Sequence, residues 1–338
     1  MKDKNPKTPS SDTADWTVTR RTFLKGSGLV IAGLSTGIPF AHAISMDAKA
    51  KLTFGIVTDT HYADMDPNGS RNYRESLVKM AEFVKLMNDK KVDFIIELGD
   101  LKDQGKPVTE ESTLEYLDTI EKVYGQFKGP RYHVLGNHDV DSISKAQFMT
   151  RVENTGIAKG STYYSFDLKG VHFVVLDANY MADGSDYDCG NFDWTDTNVP
   201  LEQLNWFKKE LASSTSPVIT FVHQQLDVTG STGVKNGPEV RQVLQDSKKA
   251  LAVFQGHHHA GHYSYIEGIH YYTLKAMVEG GGVENNSYAI AEVYDDSSIV
   301  VTGYRKALSK EMKQEPHALV LQQGLNCSLA YNYKIWCG

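Results

Sequence analysis

Tyr132-His133-Val134-Leu135, followed directly by Gly136-Asn137-His138-Asp139, decides how this chain is read. The first four residues are short, largely apolar and closed by a glycine, the pattern of a buried strand that ends in a tight loop. Open α/β sheets keep their ligand sites in loops at the carboxyl ends of strands. After the glycine, Asn137 offers a neutral carbonyl oxygen and His138 an imidazole, both suited to a hard or borderline cation. Taken alone, the tetrapeptide is also what a solvated turn looks like.

Four further apolar runs end in the same kind of residue. Leu52 to Thr58 ends in Asp59-Thr60-His61, and Val92 to Leu98 ends in Gly99-Asp100, with Asp103 three residues on. Pro217 to Val222 ends in His223, and Leu251 to Gln255 ends in Gly256-His257-His258-His259. Histidines with a purely structural role would be scattered through the strands. These collect where the chain leaves the sheet.

The series Asp-x-His, Gly-Asp, Gly-Asn-His-Asp, His and Gly-His-x-His resembles the calcineurin-like metallophosphoesterase family over about Leu52 to Arg305. The resemblance implies an α/β (α+β) metallophosphoesterase fold, a four-layer α-β-β-α sandwich. It also implies two divalent ions bridged by Asp100, with Asp59, His61 and His259 completing one site and Asn137, His223 and His257 the other. Two such ions, about 3.5–4 Å apart, repel each other, and a shared carboxylate is the simplest way to hold them. His, Asp and Asn suit Mn, Fe or Zn alike. The implied reaction is hydrolysis of a small phosphorylated substrate, a phosphate monoester or diester or alternatively a nucleoside-diphosphate-linked compound, by in-line attack of a metal-bridging hydroxide. His138 would protonate the leaving oxygen or stabilise the transition-state charge. Where purple acid phosphatases place a ligating tyrosine this chain has Asp103, so no coloured iron–tyrosinate site is expected. The Asp59–Asp64, Asn72-Tyr73-Arg74 and Gly280–Glu284 stretches look like the manganese-dependent ADP-ribose/CDP-alcohol diphosphatases of the same superfamily. A metal-binding module without catalysis is the contrasting class, and the presence of His138 with every ligand argues against it.

The start of the chain reads as an address rather than as part of the fold. Arg20-Arg21 precedes a mildly apolar, glycine-rich run from Gly26 to Phe40 and then Ala41-His42-Ala43. That is the pattern of a cleavable twin-arginine signal over residues 1–43, implying the twin-arginine export machinery as partner and a periplasmic or secreted product. The run falls short of the roughly 20 residues needed to span a bilayer, so no stable membrane anchor is expected. A formal net charge of −7 argues against a general nucleic-acid binder. Residues 44–308 read as the phosphoesterase domain and 309–338 as a tail packed on it. Cys327 and Cys337 are placed to pair in an oxidising compartment, with two free thiols as the alternative, and Cys189 stands alone.

Between these landmarks the pattern alternates strand and helix as far as Ser144, which implies parallel pairing with right-handed crossovers. A helix is expected from Tyr73, through Leu77, Met80, Ala81, Val84 and Met87. Tyr73 and Arg74 would stand at its start, where Arg74 could grip a phosphate. The Met181–Pro200 loop is long and carries Asp183, Asp186, Asp188, Asp193 and Asp196 without regular ligand spacing, and so reads as a solvated acidic loop. Its Trp194 could stack on a base or sugar. His258 is read as facing solvent or touching substrate. His133, His172, His262 and His270 are read as ordinary core or surface histidines. Several antiparallel strands are expected from Gly261 to Tyr304, forming a second sheet against the mixed sheet of the first half.

Overall fold

The computed structural model describes residues 49–307 and 317–319. Residues 1–43, where the twin-arginine signal is expected, and Cys327 and Cys337 lie outside the described residues. The first half alternates β1 (Leu52–Val57), α1 (Ser76–Lys90), β2 (Phe94–Glu97), α2 (Glu110–Tyr124), β3 (Arg131–His133) and α3 (Lys145–Arg151). Next come β4 (Tyr164–Leu168), β5 (Val171–Val175), α4 (Leu201–Ser213), β6 (Val218–Phe221), α5 (Gly237–Ser247) and β7 (Ala250–Gln255). The chain continues with β8 (His262–Ile266), β9 (Ile269–Thr273), β10 (Ser287–Val293), β11 (Ile299–Arg305) and β12 (His317–Leu319).

Two six-stranded sheets result, ordered β12-β11-β10-β1-β2-β3 and β4-β5-β6-β7-β9-β8. Period-two alternation explains how they stack. Leu52, Phe54 and Ile56 of β1 and Phe94 and Ile96 of β2 turn inward onto Phe173, Ile219, Phe221 and Phe254 of the other sheet. The intervening Val57 and Ile95 turn outward onto α1, α2 and α3, while Val174, Val218 and Val253 turn onto α4 and α5. This is the four-layer α-β-β-α sandwich. Phe54 sits at its centre, stacked on Phe94 at 4.8 Å and edge-on to Phe173, Phe221 and Phe254 at 5.7–5.8 Å. Full burial of each such ring contributes about 1.5–3 kcal/mol.

The sheets do not divide the chain into halves, as the strand pattern suggested. β10 returns to pair antiparallel with β1, carrying β11 and β12 into the first sheet. The second sheet is parallel at its centre, where β5, β6, β7 and β9 lie side by side, with antiparallel β4 and β8 at its edges. Alternation tells which face of a strand is buried but not which neighbour it finds. Helix α1 also starts later than its apolar spacing implied, at Ser76, whose hydroxyl is taken by the Thr60 carbonyl. The consequence for function is that β1, β2 and β3 end together in one sheet, and β6 and β7 end together in the other. Among the described residues no helix is long and apolar enough to cross a membrane.

Candidate active site

The five strand ends converge. In each carboxylate one oxygen is used structurally and the other is aimed inward. Oδ2 of Asp59 accepts from the Thr58 hydroxyl (2.8 Å) and the His257 amide (3.0 Å), which leaves Oδ1 facing His259 Nε2 at 3.4 Å and His61 Nε2 at 3.8 Å. Oδ1 of Asp100 accepts from the His138 amide at 2.8 Å. Its Oδ2 lies 3.1 Å from His223 Nε2 and 3.5 Å from His61 Nε2, so a single oxygen stands between two groups of donors.

The imidazoles follow the same rule. Nδ1 of His61 faces Asp103 (3.3 Å), Nδ1 of His223 faces the Leu98 carbonyl (2.8 Å) and Nδ1 of His259 faces Glu279 (2.6 Å). Partners on Nδ1 fix ring orientation and leave Nε2 free to ligate. Asp59 with His61 and His259 forms one group of ligand atoms, and Asp100 with His223 and His257 forms another.

Whether these residues fit two cations is decided by what they lack. Asp59 Oδ1, Asn137 Oδ1, His223 Nε2 and His257 Nε2 are all buried without a hydrogen-bond partner. Buried polar atoms are normally satisfied, and several orphans aimed at one place require a further group there. Nε2 of His61 and Nε2 of His259 also face each other at 3.2 Å, a spacing natural for two ligands of one ion. Burial and the neighbouring His223 push His257 down to about 3, so its nitrogen carries a free lone pair at neutral pH. Burial alone would raise the carboxyls of Asp59 and Asp100. The surrounding histidines outweigh it and hold both well below the usual range, ionised as ligands must be. The residues fit two divalent ions.

Backbone geometry brings these atoms together. Asp59, His61, Asp100 and His257 have φ of 51°, 44°, 60° and 66°, a left-handed conformation that costs roughly 1–3 kcal/mol at each non-glycine residue. Gly136 is required for a separate reason: a Cβ there would overlap the Asp100 amide and carboxylate. Asp139 sews the β2 and β3 ends together, accepting from the amides of Asp100 (3.0 Å), Leu101 (2.9 Å) and Gly136 (2.8 Å).

His138 stands beside the two groups. Its Nδ1 lies 3.2 Å from Asp141 and 3.6 Å from Asp103, and its ring meets that of His61 edge-on at 4.7 Å. Burial opposes protonation, but Asp100, Asp141 and Asp103 overcome it and raise the imidazole to about 9. Asp141 is itself held by the fully buried Lys102. These carboxylates hold the ring at Nδ1, and Nε2 is the nitrogen left to face a substrate.

The weaker expectations divide. Trp194 does reach the site, 45% exposed, with its ring 5.5 Å from that of His257. The buried Tyr187 hydroxyl lies 2.9 Å from both the Asp193 and the Asp196 carbonyl and, sharing its one proton between them, ties down the backbone on either side of Trp194. The acidic loop around it is tied down by Lys145 to Asp186 and by Lys235 to Asp196. Arg74 is not turned to the site. Its guanidinium is spent on Asp64 and Asp66 at the surface, and the cation acting on His259 from this side is Arg71. Tyr73 is buried with Ala63, Ala276 and Val278 and reads as packing. His258 is half-buried in the loop after β7. His133 is more than ordinary core: it lies between Glu121 (3.0 Å) and Glu97 (3.8 Å).

Sequence reading gave no role to Asp139, Asp141, Lys102 or Glu279. The first two lie in or beside a recognised block, which was the available signal. Glu279 adjoins the Gly280–Gly282 run, but nothing local ties it to His259.

A fold with both parallel strand bundles ending at a pair of His/Asp clusters is that of a two-metal phosphoesterase. The calcineurin-like phosphoesterase family matches residues 52–261, and the chain belongs to that family as a metal-dependent phosphoric ester hydrolase using divalent ions. It is 25% identical over 316 residues to a manganese-dependent ADP-ribose/CDP-alcohol diphosphatase of Oryza sativa subsp. japonica, covering 78% of this chain and 94% of the relative. A diphosphatase of the same description from Xenopus tropicalis is 25% identical over 313 residues, covering 73% and 90%. The crystal structure of a dimetal phosphatase from Danio rerio superposes with a TM-score of 0.69 at 20% identity, over 81% of this chain and 100% of the other.

Proposed function

We propose that this enzyme cleaves a phosphoanhydride or phosphate ester attached to a nucleotide-like group, with ADP-ribose and CDP-alcohols as the first substrates to try. The observation that carries the reading is Trp194, a rigidly held and half-exposed indole against the ring of His257. Base–aromatic stacking is worth about 1–3 kcal/mol, which makes the indole a platform for a nucleobase or sugar. The names of the two diphosphatase relatives support the same substrate class.

Asp59, His61 and His259 are assigned to one ion, Asn137, His223 and His257 to the other, and Asp100 to both. Two divalent ions bound there supply Lewis acidity at the phosphate oxygens and make an attacking water more acidic. The chain's own residues do the rest. Two carboxylates set −2 against +4, so the site stays positive and draws a phosphate without an arginine cluster. His138, held at Nδ1 by Asp141, presents a proton from Nε2 to the departing oxygen.

A second reading, a broad phosphomonoesterase or phosphodiesterase, is favoured by the Arg20-Arg21 signal. An exported enzyme meets little cytosolic ADP-ribose. Export itself is part of the proposal and rests on that signal alone, which a variant with lysines at both positions tests.

The deciding experiment is a panel of ADP-ribose, a CDP-alcohol, p-nitrophenyl phosphate and its bis ester, each assayed with Mn, Fe and Zn. The nucleotide-linked reading expects the first two to have the higher kcat/KM. Trp194→Ala should then raise KM for them roughly 5- to 100-fold, the equivalent of the stacking energy, while sparing p-nitrophenyl phosphate. Equal loss on all four substrates, or a preference for the chromogenic esters, would overturn it.

A further inference from the structure

The segment Ala276–Gly280 crosses beneath the first ligand group, and its two backbone edges point in opposite directions. Three of its amides face the site: Ala276 donates to the His259 carbonyl (3.1 Å), Met277 to that of Thr58 (3.0 Å) and Val278 to that of Asp59 (3.1 Å), while the Gly280 amide donates to the Ser70 carbonyl (2.6 Å). The Glu279 side chain reaches His259 Nδ1 at 2.6 Å. The Val278 carbonyl accepts from the Asn72 amide (3.0 Å), and three others face away, onto helix α1. There Lys79, fully buried, donates to Met277 O at 2.9 Å, Gly280 O at 2.6 Å and, more weakly, Glu279 O at 3.5 Å.

An ammonium group has three donors and no acceptor, and three carbonyls of one short strap meet it. Burying a charge without a close carboxylate is costly. Burial accordingly lowers Lys79 to about 8, and Lys306 adds to the effect, but the group remains protonated at neutral pH. Lys306 takes the Glu279 carbonyl from the other side, and Glu75 takes the Gly282 amide, so the strap is fixed along its length. Its hydrogen bonds to ligand residues go to Asp59 and His259, both of the first group.

We infer that Lys79 is a positioning residue for the first metal site: it holds the strap so that Glu279 orients His259 and the strap amides seat Asp59. The inference rests on the two-ion assignment made above. The strap joins the helix to one site only, so the two sites should separate when Lys79 is removed.

The test is manganese titration of the full chain, with bound metal per chain measured after gel filtration. Wild type should bind two ions; binding of fewer counts against the two-ion reading rather than against Lys79. Lys79→Met should keep one ion at wild-type affinity and bind the other at least tenfold more weakly. Activity should return with excess manganese and KM for substrate should be unchanged. Lys79→Arg, which keeps charge and donors, should recover most of the affinity. Glu279→Gln should weaken the same ion 10- to 100-fold, the usual effect of losing a partner behind a ligand. The double variant Lys79→Met/Glu279→Gln should be no worse than the weaker single, because both act through one path. Equal weakening of both ions, additive losses, or normal binding in Lys79→Met overturns the inference. If Lys79→Met does not fold, hydrogen exchange in wild type carries the test. Manganese should slow exchange at the Met277 and Val278 amides, and unchanged exchange there overturns it.

Discussion

His138 differs from its neighbours in where its ring stands. His61, His223 and His259 each use Nδ1 to brace a ring whose Nε2 joins a cluster of ligand atoms, whereas His138 is braced by Asp141 while its ring lies at the edge of the first group. It is therefore expected to handle a proton rather than an ion. His138→Ala should leave metal content near normal, because Asp59, His61, Asp100, Asn137, His223, His257 and His259 all remain. The rate should fall roughly 10²–10⁴-fold on substrates with poor leaving groups, the usual contribution of general acid catalysis. The loss should shrink on a p-nitrophenyl ester, whose leaving group hardly needs a proton. A loss of equal size on both substrates would mean charge stabilisation instead. Metal lost in proportion to activity would make His138 a ligand.

At the scale of elements, the strands bring the site to within a few ångströms and the turns after them complete it. β2 and β3 lie side by side, so Gly99-Asp100 and Gly136-Asn137 leave the sheet at one level, and Asp139 ties the two loops by their amides. No room remains between them. Gly136→Ala would push the Asp100 loop aside, its methyl overlapping both the amide and the carboxylate of Asp100. Displacement of about 1 Å at a reacting centre costs on the order of 10²-fold in rate. On the proposal that Asp100 serves both ions, the variant should lose them together, read as metal per chain. Loss of one ion with the other held normally would show that Asp100 is not shared.

Across the whole molecule, the metal centre depends on residues as far apart in sequence as Asp59 and His259, brought together only once both sheets have packed through Phe54 and its partners. Metal loading therefore requires the finished fold. A route that exports folded chains would let loading happen before export, in keeping with the Arg20-Arg21 signal. On that proposal, replacing both arginines by lysine should retain active, metal-loaded enzyme in the cytoplasm, measured by fractionation and activity. Continued appearance outside the inner membrane would refute the twin-arginine route. The −7 charge of the full chain, which on that proposal would become −10 with residues 1–43 and their six Lys/Arg and three Asp removed, leaves the positive potential to the metal centre.

The sequence by itself determined the layered fold and which His and Asp side chains gather at the strand ends. Ligand side chains placed just past apolar runs need only local pattern to be seen, and alternation along each run declares which faces are buried. It could not assign β10–β12 to the first sheet, because an antiparallel pattern looks the same in either. It could not tell Arg74 from Arg71, since their difference lies in where Asp64 and Asp66 come to rest. Nor could it show Asp141 and Lys102 behind His138, or Glu279 and Lys79 behind His259. Those pairings join residues distant in sequence through contacts with no period and no motif, and they exist only once the loops at the two sheet edges have been folded against each other.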